Sequence, residues 1–295
     1  MPEWVGAIIA FVYGTAVGSF LNVCIARLPS DESIISPPSH CPKCQTKLKW
    51  SDLVPLFSFL FLRRRCRYCG APISWRYFVV ESVTGLLFAG TWLRYGLSVD
   101  FFVFAAFISA LIVAFAVDLE HFIIPDQVSI IGVVLGLIRD AAHWAVGDLN
   151  LVRIPFPGSE QGFLIPPSVA GIVVCGSIFY LVAVVGYYAF MPKDPADRET
   201  YEGAMGGGDV KLAAATGSVL GVVPALGSFL IAVILGTILG CTLVAVRSLR
   251  EQKGLPWRTE IPFGPFMVAG AVIVILFSSE LRALWDVWVK FVTGR

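Results

Sequence analysis

Long apolar stretches, broken by short polar segments, dominate the hydrophobic pattern of this chain. A helix that spans a bilayer needs about 20 predominantly apolar residues. The pattern therefore predicts about eight spans, within a range of six to eight. The fourth is interrupted by Arg139, Asp140 and His143, and the sixth is short enough to be tilted or broken. Their approximate ranges are 5–25, 77–96, 101–117, 128–147, 167–190, 210–223, 226–246 and 262–281.

Composition points to the same class of protein. Hydrophobic residues make up 57% of the chain and charged residues 15%, and the mean hydropathy is +0.78. Ordinary soluble domains are far less apolar. We therefore expect an all-α polytopic membrane protein. The net charge of +1 gives no indication of a nucleic-acid partner.

The distribution of Lys and Arg predicts the orientation in the membrane. Cytoplasmic loops carry an excess of these residues, and here the excess falls in alternate polar segments, beginning with the one between the first two spans. The amino terminus is then outside, and Asp118 and Asp209 lie at the cytoplasmic ends of their helices.

Four cysteines in the polar segment after the first span form two Cys-x-x-Cys pairs. The pairs are CPKC (Cys41, Cys44) and CRYC (Cys66, Cys69), separated by 21 residues. Two such turns can supply a closed tetrahedral four-sulfur site, which is typical of structural zinc. The alternative is a pair of disulfides or unrelated thiols. We expect a small cytoplasmic zinc-binding loop domain.

Three further cysteines stand alone in apolar spans. These residues are Cys24, Cys175 and Cys241. Isolated cysteines of this kind usually pack as small hydrophobic side chains, and we expect all three to be buried.

Two aspartates at the mouths of predicted spans are the candidate catalytic groups. Asp118 stands in VDLEHFIIPD and Asp209 in MGGGDVKL. A charge toward the bilayer centre costs roughly 2.5–3.5 kcal/mol on insertion scales, so such a group needs a partner or a function. Two acids that share a proton supply a general base and a general acid for hydrolysis by water. In the alternative interpretation, Asp118 is an interfacial acid or helix cap.

The residues around Asp209 leave two further choices open. Gly206, Gly207 and Gly208 indicate that the backbone lies close either to a neighbouring helix or to an extended peptide. Asp209 itself could be a first-turn acid of the helix that follows. Lys211 could lower the pKa of Asp209 or, as we favour, reach toward lipid phosphates.

In combination, these motifs resemble the bacterial prepilin peptidases, also called type IV leader peptidases. The resemblance covers nearly the whole chain and includes GSFLNVCIARLP, the two cysteine pairs, DLEHFIIPD, GGGDVKL and IPFGPFMVAG. The GxGD segment alone is shared with other intramembrane aspartyl proteases. On this resemblance Asp118 and Asp209 match the two catalytic aspartates, whereas Glu120 and Asp126 do not occupy matching positions.

The resemblance implies a bifunctional enzyme of the bacterial inner membrane, with its active site on the cytoplasmic side. Such an enzyme cuts the basic leader of prepilins and pseudopilins after a glycine, then methylates the new amino terminus with S-adenosylmethionine. It would serve type IV pili or type II secretion. The implied domains are a first transmembrane helix (1–26), a cytoplasmic tetra-cysteine zinc domain associated with methyl transfer (27–76) and a transmembrane aspartyl peptidase domain (77–295).

The sequence contains no familiar motif for binding S-adenosylmethionine. No glycine-rich nucleotide loop follows a strand in this sequence. Asn22, Arg27 and Glu81 lie at matching depths and are candidate contacts for the cofactor or the substrate amine. Alternatively, an ion pair between Arg27 and Glu81 ties the first two spans together.

Other classes of protein share some of these features. A proton-coupled carrier also has intramembrane acids and glycine-rich helix breaks, but the cysteine pairs have no counterpart in the second half of the chain. A zinc-bearing scaffold leaves the aspartates and glycines unexplained. A peptidase without methylation is a third alternative. The polar segment Lys193–Gly208 is a candidate gate, and Pro155–Pro167 is expected to be an external loop.

Overall fold

The structure, a computed structural model, describes residues 2–156, 159–192, 205–249 and 262–293. The chain divides into two compact units, Met1–Pro125 and Asp126–Arg295. The boundary falls between Pro125 and Asp126. Pro125 disfavours a helical conformation at the residue before it, so it interrupts the helical path at this point.

The first unit is built around two helices that run side by side. Its helices are α1 (Glu3–Arg27), α2 (Phe57–Phe61), α3 (Trp75–Tyr95) and α4 (Val99–His121), with 3-10 turns at Leu28–Ser30 and Trp50–Asp52. Helices α1 and α3 are antiparallel, and α4 packs against both. Gly14 of α1 faces Gly85 of α3 so closely that a side chain at either position would clash. Small residues of this kind let membrane helices pack backbone to backbone.

The second unit contains the remaining described helices and a hairpin. Its elements are α5 (Asp126–Ala145), β1 (Val152–Phe156), β2 (Ser159–Ile165), α6 (Pro167–Phe190), α7 (Gly207–Leu220), α8 (Val222–Leu249) and α9 (Gly264–Thr293). Helix α7 packs between α5 and α6, and α8 pairs with α9. Gly171 of α6 and Gly217 of α7 bring these two backbones into direct contact.

Six helices among the described residues are long and apolar enough to cross a membrane: α1, α4, α5, α6, α8 and α9. The chain is therefore a multi-pass membrane protein, but the eight predicted spans are not confirmed. Of the other two predictions, α3 carries Arg76, Glu81 and Arg94, and α7 has only 14 residues. At 1.5 Å per residue α7 is about 21 Å long, less than the roughly 30 Å of a hydrocarbon core.

The fourth predicted span is confirmed as α5 despite its charged residues. Two of these charged residues cap neighbouring helices. The buried Asp140 carboxylate accepts a hydrogen bond of 2.8 Å from the Ser168 N–H in the first turn of α6. Arg139 donates to the Val219 carbonyl oxygen near the end of α7 at 3.4 Å. Each charge has the sign that the facing helix dipole favours. These contacts fix α5 against both α6 and α7.

The expected external loop is partly a β-hairpin, which corrects the all-α prediction. Strand β1 pairs antiparallel with β2, with Val152 opposite Ile165, and the register shifts between Ile154 and Phe156. Pro155 lies at this irregularity, where its missing N–H does not interrupt a regular ladder. The many β-branched and aromatic residues of this stretch favour strand pairing.

The contact between Gly171 and Gly217 predicts a specific instability. A methyl group at Gly171 would overlap the Gly217 carbonyl, so we expect Gly171→Ala to cost about 1–3 kcal/mol of unfolding free energy. Thermal unfolding of the detergent-solubilised protein would detect this as a lowered Tm. The matched control is Gly240→Ala in α8, where no described atom lies within 4 Å. Equal Tm values for the two variants would contradict the close-packing explanation.

Candidate active site and metal centre

Asp118 lies in the last turn of α4 and is 6% exposed. The helix ends just beyond it, because Phe122 adopts a left-handed conformation (φ 58°) and donates its N–H to the Asp118 carbonyl oxygen at 2.9 Å. Pro125 follows, and α5 begins at Asp126. The helix thus ends before the IIPD segment. A carboxylate is thereby held at the end of one of the most apolar helices in the chain.

The two acids nearest to Asp118 in sequence have different surroundings. Glu120 accepts two hydrogen bonds from the Arg76 guanidinium, at 2.7 and 3.0 Å. Asp126 forms an ion pair of 2.6 Å with Lys211. Lys211 therefore pairs with Asp126. The sequence analysis had instead paired this lysine with Asp209 or with lipid phosphates. Both acids are exposed and serve as counter-ions for basic residues.

Asp209 lies in the first turn of α7, which begins at Gly207. A carboxylate at this end of a helix is stabilised by the partial positive charge of the helix dipole. No described atom of its own unit comes within 4 Å of where a Cβ of Gly207 would be. Among the described residues of this unit, no neighbouring helix therefore packs against Gly207.

The two cysteine pairs adopt the same local turn. Gln45 donates its N–H to the Cys41 carbonyl oxygen at 2.8 Å, and Gly70 donates to that of Cys66 at 2.9 Å. The donor residues have φ values of 57° and 70°. Glycine adopts this conformation at little cost, which explains Gly70. In each turn the backbone reverses so that the two thiols of a pair point the same way.

The four thiols converge on one point. All four sulfur atoms lie within 4.8 Å of one another, and the Sγ atoms of Cys41 and Cys69 are 3.8 Å apart. A zinc ion with sulfur ligands at about 2.3 Å requires sulfur atoms about 3.8 Å apart in a tetrahedron. The thiols are free, so the disulfide alternative is wrong for this structure. The cluster fits a single metal ion.

Hydrogen bonding prepares part of this cluster to bind a cation. Hydrogen bonds from the side chain and backbone of Thr46 lower the pKa of Cys44 to about 6. The Ala71 N–H acts to lower the pKa of Cys69, but desolvation and the three neighbouring thiols raise it to about 11. Neighbouring thiolates repel one another. A bound cation would remove this repulsion, and its binding would release protons.

Asp52 fixes the second cysteine pair from outside the cluster, a role that the sequence analysis missed. Its side chain is only 3% exposed. It accepts hydrogen bonds from the Lys49 N–H (3.1 Å), Arg67 Nε (2.7 Å) and the Tyr68 hydroxyl (2.9 Å). Burial acts to raise the pKa of Asp52, but these hydrogen bonds outweigh it and hold the pKa below its usual value. Arg67 and Tyr68 stand between Cys66 and Cys69, so Asp52 anchors that turn.

The candidate cofactor contacts near the end of α1 are arranged differently from the expected ion pair. Arg27 donates to the carbonyl oxygens of Ser33 (2.8 Å) and Pro37 (2.7 Å). Glu81 accepts the Leu56 N–H at 2.8 Å. Among the described residues no ion pair joins Arg27 to Glu81, because each side chain instead orders a piece of the polar segment. The predicted ion pair between Arg27 and Glu81, which was to connect the first two spans, is therefore wrong.

Asn22 supplies the contact between α1 and α3 instead. Its amide nitrogen donates to the carbonyl oxygens of Gly18 (3.2 Å) and Tyr77 (3.3 Å). Its side-chain oxygen is buried and has no hydrogen-bond partner. Buried polar atoms are rarely left unpaired, so this oxygen is available to a bound molecule. This unpaired side-chain oxygen of Asn22 is the observation that fits a polar cofactor.

Two other predictions have mixed outcomes. Cys24 and Cys175 are buried as expected, but Cys241 is exposed on α8. Most of this apolar helix is not covered by the described parts of the chain, which leaves Cys241 at its surface. The candidate gate Lys193–Gly208 falls largely outside the described residues, since positions 193–204 are not among them. It stays a prediction.

The fold and site together define a multi-pass helical membrane protein with a four-thiol cluster that could hold a metal ion and an aspartate at each of two helix ends. Residues 12–95 match the bacterial peptidase A24 N-terminal domain, and residues 105–241 match the type IV leader peptidase family. The chain belongs to the type IV leader peptidase family, which is a family of proteases. The resemblance predicted from the motifs is confirmed, and family membership argues against the carrier and scaffold alternatives.

Several curated proteins are similar over most of the chain. One from Bacillus subtilis (strain 168) is 31% identical over 281 residues, which cover 94% of this chain and 96% of that protein. One from Myxococcus xanthus (strain DK1622) is 36% identical over 243 residues, or 81% of this chain and 64% of that protein. Both are named prepilin leader peptidase/N-methyltransferase. No solved structure matches this chain.

Proposed function

We propose that this protein is a bifunctional prepilin leader peptidase and N-methyltransferase. The observation that carries the proposal is similarity along 94% of the chain to a relative with this name. The region matched to the type IV leader peptidase family contains both Asp118 and Asp209. In this proposal the protein cuts the leader of prepilins or pseudopilins after a glycine and then methylates the new amino terminus.

Asp118 and Asp209 form the catalytic dyad in this proposal. One carboxylate is ionised and takes a proton from a water molecule, while the other is protonated and polarises the scissile carbonyl group. Attack by the water gives a tetrahedral intermediate, and its collapse breaks the peptide bond. No covalent enzyme intermediate forms. The two acids titrate as a unit, so the apparent pKa values belong to the pair.

Their local settings support these roles. Asp118 is removed from solvent at the end of α4, where an acid and a base can act without competition from bulk water. Asp209 follows three glycines, and no described atom of its own unit lies within 4 Å of a Cβ built on Gly207. Glu120 and Asp126 are exposed and paired with cations. They are poor candidates for proton transfer.

Methyl transfer is assigned to the region around Asn22, Arg27 and Glu81. S-adenosylmethionine supplies the methyl group when bound. The unpaired buried oxygen of Asn22 can accept a hydrogen bond from the cofactor or from the substrate amine. Glu81 can orient a positively charged amine, and Arg27 shapes the adjoining loop through Ser33 and Pro37. Residues 1–26 are assigned to the first transmembrane helix, 27–76 to the zinc domain and 77–295 to the peptidase domain.

The ion assigned to the four-thiol cluster is zinc. A site with four thiolate ligands is closed, so its role is structural. It joins the two cysteine turns into one unit between α1 and α3. The protein is placed in the bacterial inner membrane with this segment and both aspartates on the cytoplasmic side, where reduced thiols persist. Its partners there are the prepilins or pseudopilins of a type IV pilus or a type II secretion system.

The dyad predicts equal sensitivity to loss of either carboxylate. We expect Asp118→Asn and Asp209→Asn each to lower leader cleavage by at least about 10²–10⁴-fold, the usual contribution of acid–base catalysis. Mass spectrometry of a purified prepilin incubated with the enzyme and S-adenosylmethionine measures leader loss and methyl gain together. The matched controls Glu120→Gln and Asp126→Asn should cleave within a few-fold of the unchanged enzyme. Cleavage that survives either dyad substitution contradicts the assignment.

If the four thiols hold one zinc ion, removal of a single thiol should abolish metal retention. After chelator dialysis, the unchanged protein should hold about one zinc ion per chain, whereas Cys44→Ser should hold almost none. Elemental analysis of the purified protein gives both values. Cys241→Ser is the matched control, because this exposed cysteine lies on α8. Zinc that stays bound to Cys44→Ser, or that is lost from the Cys241 variant, counts against the four-thiol site.

Glu81 offers a way to separate methylation from cleavage. In Glu81→Gln the amide oxygen can still accept the Leu56 N–H, so the local turn is kept while the negative charge is lost. We expect methylation of the cleaved substrate to fall by roughly tenfold or more, in proportion to a lost charged contact, with leader cleavage retained. The same mass-spectrometric assay measures both steps. Unchanged methylation would rule out a role for the Glu81 charge.

A further inference from the structure

Helix α2 has one face in contact with the protein and another exposed to its surroundings. Phe59 is buried and packs against Trp75 and Phe78 of α3, with ring centroids 5.3 and 5.2 Å apart. The exposed fractions of Phe57, Leu60 and Phe61 are 61%, 61% and 83%. These residues are spaced by three and four positions and so share one side of the helix. An apolar face of this kind, next to polar segments, marks a contact surface.

Arginines follow this apolar face directly. Arg63, Arg64 and Arg65 are all exposed, and the first two have positive φ values of 48° and 63°. Such values are uncommon for residues other than glycine, and they reverse the chain at the end of α2. The Arg64 guanidinium lies over the Trp75 ring at 5.3 Å. Arg63 and Arg65 are thus exposed two and four residues after Phe61, at the end of the apolar face.

The start of α2 is held as firmly as its end. Leu56 has φ 61° and ψ −50°, and the Phe57 N–H donates to the Pro55 carbonyl oxygen at 2.6 Å. This is a classic γ-turn, which is rare and strained. The buried Glu81 carboxylate accepts the Leu56 N–H and stabilises the turn. The exposed face of α2 thus has a fixed orientation relative to α3.

The attachment of α2 places it at the end of a membrane span. Its contacts are with Trp75 and Phe78, in the first turn of α3. That turn lies beside the last turns of α1, since Asn22 donates to the Tyr77 carbonyl oxygen. Helix α1 is long and apolar enough to cross a membrane. A side chain next to the end of such a helix is at the level where a bilayer meets water.

We propose that the α2 surface, made of Phe57, Leu60, Phe61, Arg63 and Arg65, docks on the anionic surface of the bilayer in which α1 is inserted. Phe57, Leu60 and Phe61 enter the boundary between headgroups and acyl chains, and the two arginines bind lipid phosphates. This pairing of an apolar face with flanking basic residues is how interfacial helices recognise anionic membranes. Charge complementarity and continuity with α1 favour lipid over a protein partner.

Site-specific photocrosslinking in the full-length protein tests this proposal. Phe61→p-benzoylphenylalanine is reconstituted in nanodiscs of phosphatidylcholine alone or of phosphatidylcholine mixed with phosphatidylglycerol, then irradiated and examined by intact mass spectrometry. Lys43→p-benzoylphenylalanine is the matched control, because Lys43 is also exposed but lies in the first cysteine turn. A second sample carries Arg63→Gln and Arg65→Gln in addition to the crosslinker at position 61. Retained metal content shows that each variant is folded.

We expect lipid adducts at position 61 to exceed those at position 43 several-fold. The adducts should increase when phosphatidylglycerol is present and lose this increase in the Arg63→Gln, Arg65→Gln background. Adducts to a second protein chain in place of lipid would overturn the proposal and identify α2 as a protein interface. Equal lipid adducts at the two positions, or no dependence on anionic lipid and the arginines, would also overturn it.

Discussion

A charge next to apolar helices must be solvated by the protein itself. This requirement governs most of this structure. In α5, Arg139 and Asp140 lie in a helix apolar enough to span a membrane, and each is satisfied by the end of a neighbouring helix. Because a partner helix supplies what water would otherwise supply, these charges determine where α6 and α7 pack. Residues that weaken the apolar pattern of α5 are thus the ones that position its neighbours.

Position in the fold separates the structural acids from the candidate catalytic ones. Glu81 holds the Leu56 turn, Asp52 holds the second cysteine turn, and Asp140 caps α6. Each has a defined structural task within its own unit. Asp118 and Asp209 differ in position, since each stands where an apolar helix meets irregular backbone. Helix ends of this kind are where reactive groups can meet a substrate without breaking the helical hydrogen bonds.

Close backbone packing supplies the other constraint. Lipid chains are as apolar as leucine, so the hydrophobic effect gives little force between helices inside a bilayer. The glycine contacts of α1 with α3 and of α6 with α7 provide van der Waals contact instead. The polar segment between α1 and α3 has few buried apolar residues. A four-thiol cluster that could hold a metal ion, with Asp52 as its anchor, lies there in place of a larger core. The helices are thus stabilised by close backbone packing, and the polar segment by its cysteine cluster.

The sequence by itself determined the membrane class, the family, the four-cysteine cluster and the helix break at Pro125. These properties depend on composition, on fixed spacing and on the geometry of proline, all of which are local. Tertiary structure decided that Arg27 and Glu81 order separate loops, that Lys211 pairs with Asp126 and that Pro155 lies within a hairpin. It also decided that α7 has only 14 residues and that Cys241 is exposed. Partners of long side chains depend on which helices become neighbours, and the spacing of residues along one chain does not specify those neighbours.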